Sequence, residues 1–338
     1  MNIAILGYGS IAQDHARAIQ TLQATAEGRD LRFVAVMGRL PEPTEAFARE
    51  FGMPRWTTDL DELLAAPEID AVVICSPSPI HAVQTERTLR TGKHVLCEIP
   101  LALSLTETNR LIELAAEEDR RLMVCHIRRY LPAYIEAKRL IDTGAIHPHA
   151  IVSRYLFDRR ENVNWKGRER SWTDNLLWHH GGHAVDAALW VLGVADRAET
   201  VDTVAHVALP GGQLDIPMDL SLVMRTERDQ IATVSMSYHS RLAIDDCLII
   251  GDEMTLLLTD RRLREGDRIL TGPPPTDGPR MPIVRQDAEF FAAIRQNREP
   301  AISARSVRPA MAALQAADDS LTARMRALDP AARHPQMP

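Results

Sequence analysis

The chain has 338 residues, of which 45% are hydrophobic and 25% charged, so it is long enough to form two hydrophobic cores. Its formal net charge of −7 argues against nucleic acid or an acidic membrane surface as the main partner. No apolar run reaches the roughly 18–20 residues of a membrane span, and no basic and then apolar leader precedes the first strand. The four cysteines lie in apolar runs without paired spacing, which is typical of reduced thiols. We therefore expect a cytoplasmic, globular protein with no nucleic-acid and no membrane partner.

The first third of the chain alternates short apolar runs with amphipathic stretches. The apolar runs predict strands at 2–6, 33–37, 71–75, 94–97 and 122–125. The stretches between them predict helices at about 10–23, 43–51, 79–91 and 106–118. Continuous apolar strands separated by helices indicate a parallel sheet that is covered on both faces.

A glycine-rich loop follows the first predicted strand and opens the first helix. It reads Gly7-Tyr8-Gly9-Ser10-Ile11-Ala12. In that position glycines let backbone N–H groups approach a pyrophosphate, and the helix N-terminus favours its negative charge. The context therefore predicts a dinucleotide site that includes Gly7, Tyr8, Gly9, Ser10 and Ile11.

The end of the second strand bears on the choice of dinucleotide. An NAD site usually has an acidic residue there for the ribose hydroxyls. This chain has Met37-Gly38-Arg39 instead, and a guanidinium suits both stacking and a 2′-phosphate. The absent acid and Arg39 favour NADP, while the nearby Glu42 keeps NAD open.

The second half has a different pattern. It predicts a helix at 132–142, an extended segment at 150–158 and a helix at about 181–192. Extended runs follow near 201–208, 217–225, 230–238, 246–250 and 254–259, and helices at about 286–297 and 304–325 end the fold. Successive strands indicate a largely antiparallel sheet. The fold class is α/β, with a dinucleotide-binding domain at 1–127 and a second domain at 128–338.

Three histidines and an aspartate are concentrated near the helix at 181–192. His179 and His183 are four residues apart and Asp186 follows three later, which places them on one helical face. A neutral imidazole held by a carboxylate is a common general base near pH 7. A zinc site through His179, His180 and His183, or a hydrogen-bonded helix start, fits the spacing as well. Because the H-E-x-x-H pattern is absent, we predict no metal.

Taken together, the motifs resemble the Gfo/Idh/MocA oxidoreductases over essentially the whole chain. The resemblance rests on the glycine loop and on the following segments: Ser76-Pro77 with His81, Gly92-Lys-His-Val95, Glu98-Ile-Pro100, Arg128-Arg129, and His183-Ala-Val-Asp186. It implies an N-terminal Rossmann doubly wound sheet and a C-terminal α/β domain with a large open, mostly antiparallel sheet, the last helices packing back on the first domain. It also implies a homodimer or homotetramer, and cofactor contacts from Gly38, Ser76, Pro77, His81, Glu98 and Pro100.

Two positions depart from the usual family pattern. The family motif after the fourth strand is Glu-Lys-Pro, whose lysine contacts the substrate hydroxyl, whereas this chain has Ile99 there. The family often has an aspartate four residues before the histidine, where this chain has His179. The chain is therefore not expected to be a sugar dehydrogenase of the usual design.

One branch of the family shares both departures. It comprises the 4-carboxy-2-hydroxymuconate-6-semialdehyde dehydrogenases of bacterial protocatechuate 4,5-cleavage. The chain resembles them at Glu98-Ile-Pro-Leu-Ala102, at His126-Ile-Arg-Arg-Tyr130, at Arg159-Arg160 and from Arg170 to His180. The resemblance implies an NADP-dependent enzyme that oxidises a cyclic hemiacetal to a pyrone lactone.

A hemiacetal hydroxyl is more acidic than an ordinary alcohol, so a histidine suffices as base without the lysine. We expect His183 to be the base and Asp186 to orient it, with His179 contacting the hydroxyl or acting as base instead. Guanidinium groups bind carboxylates through paired hydrogen bonds. The predicted contacts to a polycarboxylate substrate are Arg128, Arg129, Arg170, Trp172, Asp174 and His180.

Two alternatives stay open at this point. One is an enzyme of the same fold that oxidises another cyclic carboxylated substrate, such as a cis-dihydrodiol or a sugar acid. The other is a non-catalytic NAD(P)-sensing regulator, which the missing lysine would permit. The retained histidines and the arginines near them favour an enzyme.

Overall fold

The computed structural model describes residues 1–164, 166–170, 172–173, 176–197, 199–259, 262–271 and 281–328. These residues form two compact units. The first comprises Met1–Tyr130 and Pro274–Arg308, and the second comprises Leu131–Pro273 and Pro309–Pro338. Among the described helices, none combines the length and the apolar character that crossing a membrane requires.

The first unit contains a six-stranded parallel sheet with the strand order β3-β2-β1-β4-β5-β6. Its strands are β1 (Asn2–Leu6), β2 (Arg32–Met37), β3 (Arg55–Thr57), β4 (Ala71–Ile74), β5 (His94–Cys97) and β6 (Leu122–Val124). Its helices are α1 (Ser10–Gln23), α2 (Pro41–Phe51), α3 (Leu60–Leu64), α4 (His81–Arg90), α5 (Leu105–Glu117) and, late in the chain, α9 (Met281–Arg295). The central strands β1 and β4 are almost wholly buried because helices cover both faces, as the continuous apolar runs predicted.

The second unit contains an eight-stranded sheet with the order β14-β13-β12-β11-β7-β10-β9-β8. The strands are β7 (Pro148–Asp158), β8 (Val201–Val207), β9 (Asp219–Thr226), β10 (Ile231–Ser237), β11 (His239–Gly251), β12 (Thr255–Thr259), β13 (Arg262–Glu265) and β14 (Arg268–Thr271). The helices are α6 (Pro132–Asp142), α7 (His180–Val191) and α8 (Val194–Arg197); α10 (Ala304–Leu328) begins in the first unit and continues from Pro309 in the second.

Among the described strands of this second sheet, β7 and β10 form the one parallel pair. All other pairs of neighbouring strands are antiparallel. The predicted fold class, a Rossmann sheet followed by an α/β unit with a large, mostly antiparallel sheet, is confirmed. The division at residue 127 stays a prediction. Residues 128–130 belong to the first unit, as does α9.

One face of the second sheet carries a mostly apolar row that is exposed at both ends. The strand register aligns Val204 with Val223, Thr233 and Val152, and continues across the remaining strands to Ile269. Val204 is 61% exposed, Val223 is 45% exposed and Ile269 is 57% exposed. Thr233 and Arg264 interrupt the row, and its other members are apolar. A partly exposed surface of this kind, with several apolar side chains, is typical of an interaction surface.

Candidate active site

The glycine loop connects β1 to α1 at the carboxyl edge of the parallel sheet. Gly7 has a φ of +108°, and a Cβ atom there would lie 2.6 Å from the carbonyl oxygen of Cys75. Gly9 is the N-cap of α1, and a Cβ atom on it would meet nothing within 4 Å. The first turn of α1 has no acidic residue and no side-chain cap. A helix N-terminus reached through such a loop fits the pyrophosphate of a dinucleotide.

The neighbouring loop after β2 is packed against the first. A Cβ atom on Gly38 would overlap the ring of Tyr8 and the hydroxyl of Thr44, so a larger residue there would have to displace these side chains. The next residue, Arg39, is exposed. Its guanidinium has no ion pair or hydrogen bond among the described residues, and Glu42 is exposed in the first turn of α2.

Ser76, His81 and Pro100 lie together in the same unit. The ring nitrogens of buried His81 lie 2.7 Å from the carbonyl oxygen of Ser76 and 2.8 Å from that of Pro100. Burial lowers the pKa of His81, although its contacts with the two carbonyl oxygens oppose the shift. The Ile99–Pro100 peptide bond is cis, and the side chain of Ile99 is only 3% exposed. Both ring nitrogens of His81 face backbone, so His81 connects the loops that follow β4 and β5.

A buried cluster of charged side chains lies beneath this edge. His15 of α1 is fully buried and bonds Asp287 of α9 through Nδ1, at 3.0 and 2.9 Å from the two carboxylate oxygens. Its Nε2 lies 2.9 Å from Oε1 of Glu98. Burial alone lowers the pKa of His15, but the two carboxylates outweigh burial and raise it to about 10. The cluster is therefore an imidazolium held between two carboxylates.

His15, Glu98 and Cys125 also form the only group of metal-ligating side chains found among the described residues. Their ligand atoms lie within 4.8 Å of one another. However, both nitrogens of His15 already bond carboxylates, and the Cys125 Sγ is 3.9 Å from Nε2. Burial raises the pKa of the Cys125 thiol well above its ordinary value, which disfavours a thiolate ligand. Direct hydrogen bonds account for this arrangement.

In the second unit, the three histidines meet at the N-terminus of α7. His179 is the N-cap residue, and its ring centroid lies 4.6 Å from that of His180 and 6.3 Å from that of His183. All three imidazoles are half-buried. Asp186, one turn further along, is 1% exposed. The predicted juxtaposition of His179 and His183 is present in the structure. The roles of these residues stay predictions.

An aromatic cluster surrounds His180. The ring centroids of Tyr155, Phe157 and Tyr238 lie 5.1, 5.5 and 5.6 Å from that of His180. The Tyr238 side chain is fully buried, and its hydroxyl makes a short hydrogen bond with Nδ1 of His180. Burial lowers the pKa of His180 well below its ordinary range, and the neighbouring histidines and arginines lower it further. His180 is therefore neutral at physiological pH.

Two arginines bring positive charge to the same unit. Arg159 is 7% exposed and donates to the Tyr238 hydroxyl over 3.1 Å and to the Asn162 side chain over 3.2 Å. Asn162 in turn donates to the carbonyl oxygens of Arg170 and Trp172. Burial, and then the charge of Arg159, lower the pKa of Arg170 to about 10. A guanidinium whose charge is opposed by burial and by a second guanidinium suits an anionic ligand.

The other predicted substrate contacts are placed as follows. Buried Arg129 donates to the hydroxyl and the carbonyl oxygen of Ser306 over 3.3 Å, and Arg128 is half-buried beside it. The Trp172 ring lies 5.4 Å from the guanidinium carbon of Arg170. Asp174 lies outside the described residues. Substrate contact by these side chains stays a prediction.

Sequence reasoning did not single out His15, Asp287, Tyr238 or Asn162. His15 lies among apolar positions of α1, where a buried histidine signals a partner, but nothing local identifies that partner. Tyr238 directly follows β10, in which buried apolar residues alternate with polar ones, and it continues the pattern of an ordinary core side chain.

A Rossmann sheet with this glycine loop, joined to a unit that presents histidines and arginines, defines an NAD(P)-dependent dehydrogenase. Residues 1–126 match the model of an oxidoreductase family with an NAD-binding Rossmann fold, and residues 132–268 match that of the C-terminal part of bacterial oxidoreductases. The chain belongs to the Gfo/Idh/MocA oxidoreductase family.

Two relatives and one solved structure illustrate the similarity. The chain is 32% identical over 301 residues to the 4-carboxy-2-hydroxymuconate-6-semialdehyde dehydrogenase of Sphingobium sp. strain SYK-6, covering 89% of this chain and 92% of the relative. It is 28% identical to the inositol 2-dehydrogenase of Acidothermus cellulolyticus, over 78% of this chain and 74% of the relative. The fold matches levoglucosan dehydrogenase in complex with NADH and levoglucosan with a TM-score of 0.82 and 21% identity, over 96% of this chain and 97% of that one.

Proposed function

We propose that the protein is an NADP-dependent dehydrogenase of aromatic-compound degradation. Its substrate is the cyclic hemiacetal of a carboxylated ring-cleavage semialdehyde, and its product is a pyrone dicarboxylate. The observation that carries this proposal is the half-buried guanidinium of Arg170 beside buried Arg159, in the unit that also holds the three histidines. The similarity to the Sphingobium enzyme supports the same substrate class.

The positive charge fits a substrate with more than one carboxylate. Arg159 and Arg170 are positioned by Asn162, which contacts the side chain of the first and the backbone of the second. Because guanidinium groups donate paired hydrogen bonds, they fix the orientation of a planar carboxylate as well as its charge. A neutral sugar offers only uncharged hydroxyl and ether oxygens, which make weaker hydrogen bonds with a guanidinium than a carboxylate does.

Oxidation of the hemiacetal removes one proton from its hydroxyl and one hydride from the carbon that bears it. When bound, the oxidised nicotinamide supplies the hydride acceptor. The residues of the chain then need to take the proton, and half-buried His183 is the proposed base, with His179 as a second contact to the hydroxyl. Ile99 is buried where the family lysine stands, so proton removal falls to the histidines.

The test is to supply the ring-cleavage product of protocatechuate, generated by a protocatechuate 4,5-dioxygenase, and to follow nicotinamide reduction. We expect reduction with both cofactors, faster with NADP, and release of a pyrone dicarboxylate detected by mass. Replacing Arg170 with lysine is expected to raise KM by about tenfold, since a lysine ammonium does not reproduce the two parallel hydrogen bonds that a guanidinium donates to a carboxylate. Arg168→Lys, in the exposed part of the same segment, is the matched control.

Absence of reduction by a protein that binds NADP in a separate titration would overturn the ring-cleavage assignment. Turnover of a cis-dihydrodiol or a sugar acid in its place would move the assignment to another cyclic carboxylated substrate. An unchanged KM in the Arg170→Lys variant would contradict the proposal that Arg170 binds a carboxylate of the substrate.

The preference for NADP is proposed from the loop after β2. Arg39 is exposed, and no carboxylate stands at the end of that strand. Replacing Arg39 with serine is expected to weaken binding of NADP⁺ by about 10- to 100-fold and to leave NAD⁺ binding within about twofold. This follows because a hydrogen bond to a charged group contributes about 1.5–3 kcal/mol. Isothermal titration calorimetry with each dinucleotide measures the ratio of their dissociation constants.

Arg49→Ser is the matched control, because Arg49 is exposed on α2 and pairs with Glu45 on its own helix. A wild-type protein that binds NAD⁺ more tightly than NADP⁺ contradicts the preference. An Arg39→Ser variant whose ratio of affinities is unchanged contradicts the residue assignment.

The homodimer or homotetramer implied by the family resemblance is likewise a proposal. The mostly apolar row from Val204 to Ile269, with Val204, Val223 and Ile269 exposed, supports association between copies of the chain.

A further inference from the structure

The hydroxyl of Tyr238 lies between a cation and an imidazole. Arg159 Nη1 donates to it over 3.1 Å, and on its other side it meets Nδ1 of His180. The three groups belong to one unit, and both Tyr238 and Arg159 are buried. Their proton positions can therefore be worked out from the hydrogen-bonding capacity of each group.

A guanidinium only donates, so the Tyr238 oxygen accepts from Arg159 and its own proton must point elsewhere. Among the described residues, the other hydrogen-bond partner of this hydroxyl is Nδ1 of His180. If His180 carried a proton on Nδ1, the buried phenol proton would have no acceptor among the described residues, and an unmet buried donor is unfavourable. Tyr238 therefore donates to Nδ1, and the imidazole proton lies on Nε2.

The tyrosine is held firmly in this position. Its backbone N–H donates to the carbonyl of Met218 over 2.8 Å, and its carbonyl accepts from the backbone of Arg159 over 2.9 Å. The Arg159 guanidinium carbon lies 5.0 Å from its ring centroid, and the Phe157 ring lies 5.0 Å away as well. Backbone, cation and aromatic contacts together leave the hydroxyl one orientation.

The ionisation of both groups agrees with this arrangement. Burial raises the pKa of Tyr238 to about 12, although Arg159 opposes the shift, so the phenol keeps its proton at physiological pH. Burial and nearby positive charge lower the pKa of His180, so the imidazole stays neutral. Nε2 has no hydrogen-bond partner among the described residues, and His180 is half-buried.

We propose that Tyr238 and Arg159 fix His180 as the neutral Nε2–H tautomer, so that His180 donates a hydrogen bond to a substrate oxygen and does not act as the base. The substrate part of this assignment rests on the proposed function. Tyr238 and Arg159 are positioning residues, because they act through His180. With its Nε2 lone pair occupied by a proton, His180 cannot accept the hydroxyl proton, which leaves that step to His183 or His179.

The test uses full-length protein labelled with ¹⁵N in histidine, without cofactor or substrate. The His180 signals are assigned by their loss in a His180→Gln variant. We expect an unprotonated Nδ1, a protonated Nε2 and no titration between about pH 5.5 and 8.5, a range in which an ordinary histidine titrates. A protonated Nδ1, or titration near pH 6.5, would overturn the proposal.

Tyr238→Phe removes the donor and keeps the ring. In that variant we expect His180 to lose its fixed tautomer and to show the Nδ1–H form as well. The Tyr155→Phe variant is the control, because the Tyr155 ring contacts His180 while the described bond to Nδ1 comes from Tyr238. If Tyr238→Phe does not fold, the wild-type spectrum alone still decides the tautomer.

Kinetics separate the two proposals. If turnover is found, Tyr238→Phe is expected to lower kcat/KM by about tenfold, as for one hydrogen bond of about 1.4 kcal/mol, without moving the acidic limb of the pH profile. A shifted acidic limb would make His180 the base. If no turnover is found, the spectrum still tests the tautomer, so failure of the proposed function and failure of this assignment are distinguishable.

Discussion

Replacing Asp287 with asparagine is expected to lower the free energy of unfolding by about 3–5 kcal/mol, because breaking a buried ion pair leaves a charge without compensation. Asp287 is fully buried and bonds Nδ1 of His15 with both carboxylate oxygens. In the variant, His15 keeps only Glu98 as a charged partner. Urea unfolding followed by circular dichroism measures the difference.

The same cluster predicts how stability depends on pH. The pKa of His15 in the folded protein is raised from 6.5 to about 10 by the carboxylates of Asp287 and Glu98, despite burial. The folded state therefore binds the proton more tightly, so this contribution is fully present below about pH 6.5 and is lost as the pH rises through about 10. We expect the wild-type protein to lose stability between these values and Asp287→Asn to lose less.

Asp30→Asn is a suitable control because its carboxylate also contacts α9, through Arg295 at 2.6 Å, but is 53% exposed. An exposed pair of this kind contributes less than about 1 kcal/mol. Equal effects of Asp287→Asn and Asp30→Asn on the free energy of unfolding would contradict the description of His15 as a buried imidazolium.

Replacing His183 with alanine is expected to lower kcat by about 10²–10⁴-fold, the usual contribution of a positioned general base. The acidic limb of the kcat/KM profile should disappear with it, because no imidazole then needs to lose its proton before accepting one from substrate. Dissociation constants for NADP⁺ are expected to stay unchanged. Steady-state kinetics with the ring-cleavage hemiacetal and a parallel titration of the cofactor measure both quantities.

His206→Ala serves as the matched control, since His206 is exposed on β8 and carries no assigned role. His179→Ala provides the decisive comparison. The base is His179 if the His179→Ala variant loses the acidic limb of the kcat/KM pH profile while the His183→Ala variant keeps a kcat within tenfold of wild type.

The parts of the fold that sequence predicted are those whose signal is local. Buried strands such as β1 and β4 carry unbroken apolar runs, and their positions matched to within about a residue. Short strands at or next to the sheet edges were missed. β3 spans Arg55–Thr57 and β13 spans Arg262–Glu265, and a strand of three or four residues is too short to show a clear alternation of apolar and polar side chains.

In the candidate site too, features with a local sequence pattern were predictable and contacts between distant residues were not. The glycine loop was predictable because its spacing and its position between strand and helix are written in six consecutive residues. The bond from His15 to Asp287 joins residues 272 positions apart, and that from His180 to Tyr238 joins residues 58 apart. Such partners are selected by packing, which single-sequence periodicity does not encode.

Helix α9 lies late in the sequence, and this affects when the first unit can complete its folding during synthesis. The nucleotide-binding unit begins at Met1 but is completed by residues up to Arg308, and α9 packs against α1. During synthesis from the N-terminus, His15 leaves the ribosome long before its partner Asp287 exists. The first unit therefore reaches its final charge balance only after most of the second has emerged. A fragment that ends at Tyr130 would lack that balance permanently.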